Sequence, residues 1–215
     1  MSDLSLQIVR EYFELNFFHV LTHWQHEDTS PRLADAASLL FVERAAPEMP
    51  GEPPFLLRAD DLSQLARAMV EVRAWHADKV YASTVETNPV LGHVATSEAQ
   101  GLATAVFGGA AYRTVLIISE LPLGAAPRER ALDALRILGV GHVIEFPTIL
   151  QDMLLRISAH GNYAPSPTLQ MLRLLKRYNF IRRQQLEFAF AVEPPPTAAP
   201  AVFVTTAPDP DEEAE

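Results

Sequence analysis

Thr114-Val115-Leu116-Ile117-Ile118-Ser119 is the stretch that most restricts what this chain can fold into. As a strand it turns apolar side chains to both faces, so both faces must be covered. Helix signals stand on either side. Ser97-Glu98-Ala99-Gln100 is a capping-box pattern, and Gly108-Gly109 closes the helix it opens. Pro127 starts a second helix, Gly139 stops it, and Val140 to Phe146 supplies the last strand. Strand, helix, strand in that order requires crossover connections and parallel pairing.

The first half of the chain reads differently. Residues 3 to 16 form a helix, with Leu6, Val9, Phe13 and Phe17, or Ile8, Tyr12 and Leu15, at helical spacing. Phe18 to Trp24 is aromatic and β-branched and reads as a first strand, and Ser38 to Val42 as a second. After the loop at residues 46 to 54, Asp60 caps a helix running to about Arg67, and Met69 to Trp75 is a third strand. Three strands with short connections suit an antiparallel meander. Beyond the last strand, Thr148 to Ala159 is helical, Gly161-Asn162 breaks it, and Ser166-Pro167 begins another helix. The expected architecture is a three-layer α/β fold, a mixed sheet flanked by helices, with further helices at the C-terminus. The expected division is an α/β domain over 1–162, a helical segment over 163–192 and a disordered Pro-rich acidic tail over 193–215.

At 215 residues the chain suits one packed domain. It has no cysteine, which removes disulfides, thiolate metal sites and cysteine nucleophiles. The opening MSDLSLQIVREYF lacks the apolar core of a signal peptide, and no apolar run reaches membrane-spanning length. The expectation is a soluble, cytoplasmic protein with no membrane contact. The net charge of −10 is uneven: six acids and no base follow from Glu193 onward. Between Asp152 and Glu187 there is no acid, but Arg156, Arg173, Lys176, Arg177, Arg182 and Arg183 all fall there. The basic residues from 173 to 183 are the part of the surface that a nucleic acid would meet.

Glu71-Val72-Arg73 carries the main chemical signal. On a strand, alternation sends Glu71 and Arg73 to one face and Val70, Val72 and Ala74 to the other. A carboxylate and a cation then share a pocket. With the element order over residues 4 to 146, this triplet resembles the PD-(D/E)XK motif of the restriction-endonuclease-like nucleases. The resemblance implies an acid on the second strand and an acid-X-lysine triplet on the third, together binding magnesium or manganese. Here Ser38 stands where the second-strand acid belongs, Asp35 lies three residues upstream, and Arg73 replaces the lysine. Glu71 is then the metal ligand if there is one. Arg73 keeps the positive charge but cannot release a proton near neutral pH. The plain alternative is a polar pair on a half-exposed strand.

Other features weigh less. His19, His23 and His26 would align on a helix but are poorly placed for one zinc ion on a strand. Leu169, Met171, Leu172, Leu174, Leu175 and Tyr178 make an apolar helix face, with Arg173, Lys176 and Arg177 opposite. Ala201 to Thr205, centred on Phe203, is an apolar island within the tail and suits docking to a protein partner. No phosphate-binding glycine loop and no GxSxG elbow occurs. Three functions follow: a degenerate nuclease fold acting by partner or nucleic-acid binding, an active divalent-metal nuclease using Glu71, Arg73 and Asp35, or an assembly component that recruits a protein through its tail.

Overall fold

The computed structural model describes residues 3–21, 39–45 and 51–181. In chain order the elements are α1 (Asp3–Leu15), β1 (Phe18–Leu21), β2 (Leu39–Arg44), a 3-10 turn (Ala59–Gln64), β3 (Arg67–Arg73), α2 (Ala82–Thr87), a second 3-10 segment (Pro89–Ala95) and α3 (Ser97–Phe107). Then follow β4 (Arg113–Ile118), α4 (Ala125–Ile137), β5 (His142–Glu145), α5 (Phe146–Arg156) and α6 (Pro167–Arg177).

The five strands form one sheet in sequence order. β1, β2 and β3 are an antiparallel meander, while β3–β4 and β4–β5 pair in parallel through the helical crossovers. Alternation divides the sheet cleanly. Leu40, Val42, Val70, Val72, Val115 and Ile117 pack toward α1, α5 and α6. Leu39, Phe41, Met69, Leu116 and Ile118 pack toward α2, α3, α4 and the second 3-10 segment. Val115 to Ile118 are wholly buried, as a strand covered on both faces requires. The outer edge of β5 is covered by the chain at 55–57: Leu57 N–H donates to the Val143 carbonyl at 2.8 Å, and Val143 N–H to that of Phe55 at 2.8 Å.

Several expectations are corrected. The helix expected from Asp60 to Arg67 is only a 3-10 turn ending at Gln64. Ala66 cannot stay helical, because its carbonyl accepts from Arg44 N–H at 2.8 Å as β3 joins the sheet. α3 is capped by Thr96 rather than Ser97; the Thr96 hydroxyl accepts from Ala99 N–H at 3.3 Å. α5 begins at Phe146, directly at the end of β5, and closes at Arg156. Phe17, expected on the apolar face of α1, is 68% exposed. The helix stops at Leu15, and Phe17 follows in the left-handed region at φ 65°, turned away from the core. Residues 82–95, which carry no periodic signal, supply α2 and the second 3-10 segment.

The compact unit extends to Ile181, past the division expected at residue 162, with Leu169 and Leu172 of α6 packed on the same core as α1 and α5. The expected tail lies outside the described residues. Among those that are described, no helix is long and apolar enough to cross a membrane.

Candidate functional site

β3 is buried along almost its whole length, and its two polar residues are buried with it. Glu71 is 0% exposed, flanked in register by Leu39 on β2 and Leu116 on β4. Arg73 lies beside Ile118 on the same face. An isolated ionised carboxylate would not tolerate such surroundings. It is compensated from two directions. Arg73 Nε donates to Glu71 Oε1 at 2.7 Å, and a terminal nitrogen of the same guanidinium lies 2.6 Å from that oxygen. His93, on the Pro89–Ala95 segment, brings Nδ1 to 3.0 Å of the same Oε1. Against an ionised carboxylate, Nδ1 is the protonated nitrogen and donates.

All three contacts therefore meet one oxygen. The other, Oε2, is buried with no hydrogen-bond partner among the described residues, and so is His93 Nε2. Burial raises the Glu71 pKa above its ordinary value, and Arg73 and then His93 pull it back only in part. The polar pair on a half-exposed strand is thus corrected: the pair exists, but it lies inside the fold and includes a histidine. His93 gave no sequence signal, because it lies 22 residues from Glu71 in a short segment without helical periodicity.

The fit of a divalent metal can be tested on these residues. Hard cations take several oxygen ligands. The described residues supply one carboxylate here, with a guanidinium already against one of its oxygens, and the β2 residue directly opposite is Leu39. Among the described residues no group of three His, Asp or Glu side chains is placed to hold a metal ion. These residues do not fit magnesium or manganese. Asp35 and Ser38 lie outside the described residues, as do His23 and His26 of the zinc reading.

The basic region is less open than its sequence pattern predicts. Lys176 Nζ donates to the carbonyls of Leu154 at 2.7 Å and Ile157 at 2.5 Å, closing the C-terminal end of α5. Arg173 is half-buried, and its Nε has no partner among the described residues. Arg177 is exposed. Met171 and Tyr178, expected to pack, are exposed instead, because Leu169 and Leu172 make the contact with the core. Arg182, Arg183 and Phe203 lie outside the described residues.

Compared with known proteins, the chain matches no family model, no curated protein and no solved structure.

Proposed function

We propose that the protein is a restriction-endonuclease-like fold whose catalytic strand has become a structural ion pair, and that it acts by binding a partner rather than by cleaving one. The element order supports the first half of this reading: a helix, three antiparallel strands, then helices alternating with two parallel strands. Glu71 and Arg73 occupy the third strand, where the nuclease motif has its acid and its cation.

One observation carries the second half. The Glu71 carboxylate is buried and held by Arg73 and His93 on a single oxygen, with Leu39 across from it on β2. Binding a cation there would first require breaking a charge-assisted contact to a guanidinium. The partner is a protein or a nucleic acid. The exposed side chains of Met171, Tyr178 and Phe180 favour a protein on the α6 side, since Lys176 is already committed.

Incubating the full chain with duplex DNA and with RNA, in magnesium and in manganese, tests this. The expected result is no cleavage. Cleavage that Glu71→Gln abolishes would overturn the reading and establish an active nuclease. In a separate binding assay, affinity for nucleic acid that falls steeply with added salt would name the partner as a polyanion.

A further inference from the structure

α6 is apolar on two sides, and only one of them meets the core. Leu169 and Leu172 pack with α1 and α5. On the opposite side, Met171 is 58% and Tyr178 66% exposed. Leu174 and Leu175 lie between them, half-buried and part of neither apolar layer. Spacings of three and four residues align these four side chains in one strip, the pattern of a seam between two helices.

Phe180 extends the strip. Asn179, left-handed at φ 59°, donates its N–H to the Lys176 carbonyl at 3.3 Å, and Phe180 N–H donates to that of Leu175 at 2.9 Å. This paired C-terminal cap ties the backbone of Phe180 to Leu175, yet the Phe180 side chain is 78% exposed.

Charge narrows what can cover the strip. Arg173 and Arg177, four residues apart, form a row along its Leu174 flank. Neither is in an ion pair among the described residues, and α6 contains no acid. Like charges at that spacing repel one another. A second copy of α6 would bring two more arginines and no carboxylate, which argues against self-pairing. A nucleic acid would answer the arginines but leave the apolar strip in water. A helix with an apolar stripe and an acidic flank answers both. Since α6 has 11 residues and is about 16 Å long, the contact spans about three turns.

We propose that this face docks an amphipathic helix of a partner protein, whose apolar side chains cover Met171, Leu174, Leu175, Tyr178 and Phe180 while its carboxylates pair with Arg173 and Arg177. The inference rests on the reading of the protein as a partner-binding fold and names the chemistry of the partner.

The probe is a labelled leucine–glutamate amphipathic peptide of about 20 residues, long enough to be helical. Fluorescence anisotropy follows its binding to the full chain, beside a counterpart with lysine for glutamate. The glutamate peptide should bind at least about tenfold more tightly than the lysine one. Tyr178→Ala and Phe180→Ala should each weaken it about tenfold. Their thermal unfolding should match the wild type's, since both side chains are exposed. Arg177→Glu should weaken the glutamate peptide and strengthen the lysine peptide. No binding, equal affinity for the two peptides, or wild-type affinity in both alanine variants would overturn the docking face. A dimer in sedimentation that Tyr178→Ala dissolves would overturn it in favour of a second copy, and displacement of the peptide by duplex DNA in favour of nucleic acid. Tighter binding of a peptide of residues 198–215 would give the face to this chain's own C-terminal segment instead. The two readings fail separately: cleavage abolished by Glu71→Gln leaves the peptide results standing, and a peptide that does not bind leaves the absence of cleavage standing.

Discussion

Glu71 is where burial and charge compete most directly. Taking a carboxylate to 0% exposure costs several kcal/mol, and a guanidinium at 2.6 Å returns part of that. The imidazole of His93 returns more, but Oε2 stays without a hydrogen bond among the described residues. The net result is a carboxyl group whose pKa is raised by burial, against the pull of Arg73 and His93. The consequence for stability has a definite sign. Between the ordinary value of 4.5 and the raised one, the folded chain holds a proton that the unfolded chain has released. Folding is therefore favoured on the acid side of that window, and this contribution is lost as the pH climbs through it. Glu71→Gln cannot titrate, so its free energy of unfolding should vary less with pH above 4.5 than the wild type's. Urea unfolding at a series of pH values measures both slopes. Identical slopes would mean that Glu71 titrates alike in the folded and unfolded chains.

Elements differ in how far their sequence announces them. β4 and β5 are legible because apolar runs between cap and glycine signals leave no other structure, and β3 is legible with its Glu71 and Arg73 through simple alternation. Residues 82–95 are not. Their two short helical pieces have too few turns to set a period, and with them goes His93, the third member of the site. Ser166-Pro167 marks the start of α6, but the helix turns Met171 and Tyr178 outward, against what their spacing predicts. A helical wheel cannot know that Lys176 will find the open carbonyls at the end of α5. That contact predicts a stability role where the sequence suggested a phosphate contact. Lys176→Met keeps the aliphatic stem and removes the donors, so it should cost about 1.5–3 kcal/mol. Arg177→Met, on the exposed side, should change stability by less than about 0.5 kcal/mol. Thermal unfolding of the two variants compares them directly. An equal, small effect would show that the Lys176 contacts contribute nothing to stability.

At the scale of the whole molecule, the charge is distributed against the use of the basic region. Residues 182–215 carry two arginines and seven acids, so they hold −5 of the net −10, and residues 1–181 hold the other −5. The compact unit that contains the sheet ends at Ile181. Both apolar layers are built from side chains between Leu6 and Leu172. A chain ending at Ile181 should therefore fold, with a Tm within about 2–4 °C of the full-length value, the shift expected of a change near 1 kcal/mol in a domain this size. Its electrostatics should change more than its stability. Removing seven acids at the loss of two arginines lessens the repulsion of any polyanion, and Arg173 and Arg177 stay in place. On a heparin column at low salt the shortened chain should elute later than the full chain, and the gap should close as salt rises. Earlier elution would mean that Arg182 and Arg183 outweigh the seven acids and that the basic region is the polyanion contact after all. A Tm lower by 10 °C or more, well beyond about 1 kcal/mol in size, would mean that residues beyond Ile181 hold the fold together.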